Sequence, residues 1–158
     1  MLFRSLERAA FRYFGLRSHA SHVHGIRSDG RMWCGCRAMS KATDPGLLDN
    51  LAAGGLPAGE DPLHCAVREM WEEAGLVRQT RDLLPLMSSV LTERQVPDGW
   101  HSERLFVWTL PMGMNDQPIN QDGEVSEFLN LDWPQVLQFL MAEAFTPDAA
   151  CAIAATLV

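Results

Sequence analysis

Positive charge is scarce in this sequence: 13 lysines and arginines stand against 20 aspartates and glutamates, a formal charge of −7. Duplex binding draws its affinity from cations that neutralise phosphates, so the balance argues against a nucleic-acid partner. Long apolar runs are also missing, and none approaches the roughly 18 residues of a membrane-spanning helix. A membrane partner is not expected. Cysteine is sparse: Cys34, Cys36, Cys65 and Cys151 have no zinc-ligand spacing, and a chain of 158 residues buries enough surface to fold without disulfides. Without a hydrophobic signal region at its start, the chain is expected in a reducing cytoplasm.

What is present reads as one domain over residues 16–158, preceded by a helix over residues 1–15. In the opening stretch Arg4, Arg8, Arg12 and Arg17 lie opposite Phe3, Leu6, Ala10 and Phe14. Glu7 interrupts the basic stripe, which favours a surface helix packing on the domain over an organelle-targeting segment. The runs Ser21–Arg27 and Met32–Ala38 read as strands joined by the turn Ser28-Asp29-Gly30. Cys34 and Cys36 then point the same way as small buried residues. A short strand over Leu48–Ala53 runs into a Gly54-Gly55 loop. Further strands are expected at Leu86–Thr92, Leu105–Leu110 and Phe128–Leu131, with helices at Pro134–Ala142 and Pro147–Thr156. Strands punctuated by a few helices predict an α+β fold, a mixed β-sheet with helices on its faces.

The sharpest element starts at Asp61, a capping residue, followed by Pro62 in the first turn and ended by Gly75. Leu63, Ala66, Val67, Met70 and Ala74 share one apolar face. Glu69, Glu72 and Glu73 stand at i, i+3 and i+4 and share a different arc. Taken alone, such a group is usually a solvated face, but carboxylates at that spacing repel and would destabilise the helix unless a cation sat among them. Mg²⁺ or Mn²⁺ suits the role, as a hard cation that takes oxygen ligands and keeps waters for substrate phosphates. Arg68 and Glu60 form a charge pair bridging the preceding loop to the helix. Glycine lets backbone approach closely there, so a carbonyl of Ala53 or Gly54 can complete the coordination.

Gly54, Glu60, Arg68-Glu69-Met70, Trp71, Glu72-Glu73, Ala74 and Gly75-Leu76 together fill every signature position of the Nudix box. The segment resembles the Nudix hydrolase superfamily. The resemblance implies an α/β/α Nudix sandwich, dependence on divalent metal, and MutT-like pyrophosphatase chemistry on a small-molecule diphosphate. Carried over position by position, Glu69, Glu72 and Glu73 would ligate metal, Glu69 could also act as base, and Arg68 and Glu60 would hold the loop. The runs Arg37 to Lys41, Pro45 to Asn50, Asp122-Gly123-Glu124-Val125 and Phe145-Thr146-Pro147 resemble a subgroup related to the Nudix domain of thiamine pyrophosphokinase fusion proteins. That likeness implies damaged thiamine diphosphates as substrates. It also implies a longer N-terminal region, of which Glu7 to Gly15 would be the last part, and a possible homodimer, since many Nudix proteins are dimers.

Outside the box, Glu124 has two readings, a turn residue in Asp-Gly-Glu or a fourth carboxylate reaching the metals or the attacking water. Arg37 and Lys41 are candidates for substrate phosphates. Trp71, Trp100 and Trp108 could stack on a ring or simply pack, and His22 and His24 are given no role. The expected reaction is attack of water on a phosphorus of the diphosphate, with glutamate removing the proton and metal neutralising charge. Two other activities remain open. An isopentenyl-diphosphate isomerase shares the fold but places a cysteine where this chain has Ala53, and a ligand-sensing Nudix domain can lose box acids, none of which is lost here.

Overall fold

The computed structural model describes residue 7, residues 10–85 and residues 89–157. In chain order the elements are α1 (Phe11–Phe14), β1 (Arg17–Arg27), β2 (Met32–Arg37), β3 (Leu48–Asp49), β4 (Ala52–Gly55), α2 (Pro62–Ala74), β5 (Leu84–Pro85), β6 (Val90–Val96), β7 (Gly99–Met112), β8 (Val125–Leu131), α3 (Trp133–Met141) and α4 (Pro147–Ala154). A 3-10 turn at Thr80–Asp82 links α2 to β5.

The strands form one sheet of eight, in which β1 lies parallel to β7 and the other named pairs are antiparallel. Successive side chains of a strand face opposite sides, and the pairing partners carry that alternation across the sheet. On one side Val23, Leu51, Ala52 and Leu110 pack against Ala66, Met70 and Ala74 of α2. On the other, Met32, Cys34, Leu48 and Leu131 meet Val136 of α3 and Ala149 and Ile153 of α4, while Ala20, Leu105 and Val107 meet Ala152 of α4. The mixed sheet therefore has helices on both faces, the sandwich expected of an α+β chain with these apolar stripes.

Local chemistry sets the bounds of α2. The Asp61 carboxylate accepts from the Leu63 and His64 N–H groups at 2.9 and 3.3 Å, satisfying donors that the first turn leaves orphaned. At the other end Gly75 takes a left-handed φ of 64°, and the Gly75 and Leu76 N–H groups donate to Trp71 and Met70 carbonyls, each at 3.0 Å.

Several expectations are corrected. Of the helix expected over residues 1–15, the turn at Phe11–Phe14 is described, most of the earlier part lies outside the described residues, and Arg17 opens β1 instead of extending the helix. The strand expected over Leu48–Ala53 is two short strands, split where Asn50 turns its side chain inward to His22. Gly54 and Gly55 are no loop: they sit in β4, paired with Ser21 and Ala20 of β1. The strand expected at Leu86–Thr92 runs instead from Val90 to Val96, with residues 86–88 outside the described set. Strands β1, β7 and β8 are longer than their apolar runs, because ladder hydrogen bonds continue through polar residues such as Ser102 and Glu103. The four cysteines are free; Cys34 is buried, which pushes its thiol up to about 12, and Cys36 is half-buried.

Candidate active site

The acid helix borders a cavity of about 880 Å³ that also touches β1, β4 and β7 and the segments around residues 37–44 and 122–124. Its wall contains Arg37, Lys41, Ala53, Gly54, Arg68, Glu69, Glu72, Glu73 and Glu124. Glu60 and Gly75 are not on that wall; they hold α2 from behind and from its end.

Arg68 organises the acids. Its Nε and one terminal nitrogen donate to the two Glu60 oxygens at 3.0 and 2.9 Å, a bidentate pair that ties the loop before α2 to the helix. Its other terminal nitrogen donates to Glu69 at 2.7 Å and to Glu72 at 2.9 Å. One guanidinium thus spans three carboxylates, so part of the cation demanded by the i, i+3, i+4 pattern comes from the chain itself. The hydrogen bond from Arg68 holds the Glu60 carboxyl below its ordinary range.

Glu73 is buried, and its carboxylate accepts from the Ala53 N–H at 2.9 Å, which fixes helix α2 to strand β4. Burial pushes the Glu73 carboxyl well above the ordinary range despite that hydrogen bond, and the charges of Asp49, Glu69 and Glu124 add to the effect. Glu69 is raised for the same first reason; Arg68 opposes the shift, and Glu72 and Glu124 reinforce it. Gly54 is the position that lets Glu69 in. A Cβ added at Gly54 would lie 1.8 Å from a Glu69 carboxylate oxygen, so only a residue without a side chain leaves room for the acid beside the strand. The Gly54 carbonyl is 3.6 Å from the Cys65 thiol.

The Asp122-Gly123 turn seats Glu124 at the end of β2: the Glu124 N–H donates to the Asp122 carboxylate at 2.8 Å, and its carbonyl accepts from Ala38 at 2.8 Å. Its half-exposed carboxylate pairs with Lys41. Arg37 is held by the Thr43 carbonyl at 2.9 and 3.2 Å and by Asp49 at 3.2 Å. Among the tryptophans, Trp71 and Trp100 are largely exposed, Trp108 packs against the α2 core, and none of the three lines the cavity. His22 lines the cavity and shares a 2.7 Å hydrogen bond with Asn50. His24 is fully buried, which lowers its pKa to about 3 and leaves the ring neutral.

Two groups of cavity residues escape the sequence reading. Asp49 adds a carboxylate near Glu73, and it was in view only as part of the Pro45 to Asn50 run. On the far side of the cavity stand Arg94, His101, Glu103 and Asp148. Strand alternation puts His101 and Glu103 on one face, a signal available in principle, but their meeting with α4 depends on how the sheet pairs.

The NUDIX domain profile matches residues 16–155. The chain belongs to the Nudix family. Nudix hydrolase 24, chloroplastic, of Arabidopsis thaliana is 37% identical over 161 residues, covering 93% of this chain and 41% of that protein. Nudix hydrolase 20, chloroplastic, of the same plant is 37% identical over 147 residues, covering 91% of this chain and 39% of that protein. This Nudix chain thus spans about two fifths of the length of these curated relatives. Among solved structures it is similar to DR0079 from Deinococcus radiodurans, with a TM-score of 0.69 at 22% identity, covering 94% of this chain and 86% of that one. It is also similar to the NUDIX domain of Shewanella oneidensis NrtR complexed with ADP ribose, with a TM-score of 0.62 at 17% identity, covering 85% and 82%. At those identities the likeness supports the Nudix fold alone.

Proposed function

We propose that this Nudix domain is a divalent-metal-dependent pyrophosphohydrolase that cleaves the diphosphate linkage of a small phosphorylated metabolite. The observation that carries the reading is the convergence of Glu69, Glu72, Glu73 and Glu124 on one cavity wall, with more negative charge than Arg68 offsets. The raised carboxyls of Glu69 and Glu73 fit a cation-binding role, because a bound cation would offset both burial and mutual repulsion. Oxygen donors alone suit Mg²⁺ or Mn²⁺, held by Glu69, Glu72 and Glu73 with a backbone carbonyl of Ala53 or Gly54. When bound, such an ion neutralises developing charge on phosphate oxygens and makes the attacking water more acidic.

The remaining work falls to the chain. The Glu69 carboxylate, whose affinity for protons is already raised, takes the proton of the attacking water. Arg68 and the Ala53 N–H keep Glu69 and Glu73 in position. Lys41 and Arg37, poised on Glu124 and Asp49, turn toward the substrate phosphates. Thiamine-type diphosphates lead as substrates on the sequence resemblance, with nucleoside diphosphate derivatives next.

The direct test is a turnover screen of the purified protein across thiamine diphosphate analogues, nucleoside diphosphate sugars and nucleoside triphosphates, with Mg²⁺ and with chelator. Turnover of at least one class, lost on chelation, is expected. Tight binding without release of any phosphorylated product would instead identify a ligand-sensing domain. In the same assay Glu124→Gln is expected to lower kcat by about 100-fold, more than it raises KM, because the carboxylate acts chiefly in the transition state. Near-normal kcat in the folded variant would reduce Glu124 to a turn residue.

A further inference from the structure

His101, Glu103 and Asp148 bring three metal-ligating atoms together on the cavity wall away from the acid helix. The His101 Nε2 is 3.2 Å from one Asp148 oxygen and 3.9 Å from one Glu103 oxygen, and the three ligand atoms all lie within 4.8 Å of one another. Ser21 of β1 pairs with Gly54 on one side and with Phe106 of β7 on the other, and Glu103 and His101 lie three and five residues from Phe106 along β7, so at ordinary strand spacing and rise they stand roughly 14–19 Å from Gly54. It is a distinct place in the same cavity.

Each carboxylate is held by its other oxygen. Ser18 donates to Glu103 Oε1 at 2.8 Å; Thr92 and Arg94 donate to Asp148 Oδ1 at 2.8 and 2.7 Å. The oxygens that remain, Glu103 Oε2 and Asp148 Oδ2, are those facing His101, although Arg94 also reaches Asp148 Oδ2 at 3.1 Å. His101 is buried, only 4% exposed, yet its Nε2 has no hydrogen-bond partner: the approach to Asp148 is close enough but fails in direction. A buried ring nitrogen left unpaired costs free energy that a ligand on it would recover. Two donors on one small divalent ion, with bonds of about 2.1 Å, are separated by about 3.0–3.4 Å. The observed separations need only small side-chain rotations to reach that range.

We propose that His101, Glu103 and Asp148 form a second divalent-cation site, selective for an ion that accepts imidazole as well as carboxylate, of the Zn²⁺ or Co²⁺ type. The three donors carry two negative charges and a neutral ring, while Arg94, Thr92 and Ser18 orient the carboxylates as outer partners. Three protein ligands leave further coordination positions open to the cavity, and the cavity itself provides the entry path. The site is independent of whether the glutamates of α2 support hydrolysis.

The test is titration of the full chain with Co²⁺ in excess Mg²⁺, which competes for the all-oxygen site, followed by the visible absorption of the cobalt ion and by metal analysis after dialysis. Wild-type protein and Glu73→Gln are expected to bind one Co²⁺ with the same absorption bands. His101→Gln and, as a second variant less exposed to folding failure, Glu103→Gln should weaken that binding about tenfold or more, with circular dichroism unchanged. The proposal is overturned if wild type takes up no Co²⁺ under these conditions, if folded His101→Gln or Glu103→Gln binds as wild type does, or if Glu73→Gln alone abolishes uptake.

Discussion

Glu73→Gln is expected to lower turnover by about 10²–10⁴-fold while leaving the protein folded. The amide keeps the shape and the acceptor for the Ala53 N–H, so the tie between α2 and β4 survives. What disappears is the negative charge proposed to hold metal. Stability measured without metal provides the control, and its sign follows from the raised carboxyl. Because the folded Glu73 pKa lies above its unfolded value of about 4.3, the native metal-free protein binds more protons than the unfolded chain just above that pH. The contribution of Glu73 to stability should therefore be fullest below the unfolded pKa and be lost as pH rises through the folded one. Glutamine cannot titrate. The melting temperature of the variant, compared with wild type in chelator, should gain steadily with pH over that window, and a variant that is less stable at every pH would assign Glu73 a structural role.

Gly54→Ala should be nearly as damaging to activity for a different reason. The added methyl would meet the Glu69 carboxylate at 1.8 Å and its carboxyl carbon at 2.0 Å. Both atoms belong to the free end of a flexible side chain, so Glu69 gives way and the backbone does not. Gly54 is not among the residues at positive φ, and alanine fits its extended strand conformation. A displacement of about 1 Å in a catalytic group costs on the order of 100-fold in rate. The expected signature is a large loss of kcat with a melting temperature close to wild type. Full activity in Gly54→Ala would show that the Glu69 position seen here is not the working one.

These two positions were reached from the sequence by different routes. Glu73 came from helical spacing and from the resemblance to the Nudix box, both local properties of a continuous segment. Gly54 belongs to the same box, but the box does not give the reason for the glycine: the expected loop is a strand. A glycine in an extended edge strand and a glycine in a turn leave the same mark in a sequence. Only the approach of α2 shows which side chain needs the empty space. Arg68 shows the same limit, since its pair with Glu60 follows from the box while its simultaneous grip on Glu69 and Glu72 needs side-chain geometry.

The sequence by itself determined the helix of acids, its start at Asp61 and its end at Gly75, the excess of negative charge, and membership of an α+β class. Capping, glycine at a helix end and the 3.6-residue period act over a few residues, so they can be read without knowing what lies opposite. Tertiary structure alone decided which distant residues share the cavity. Glu124 meets Lys41 through a turn at the end of β2, and Asp49 reaches the neighbourhood of Glu73 from β3. Ser18 meets Glu103 because β1 and β7 run parallel at the centre of the sheet, and Asp148 reaches His101 because α4 crosses that face. Parallel pairing joins strands far apart in the chain, and register between them is set by burial on both faces, which no local pattern encodes.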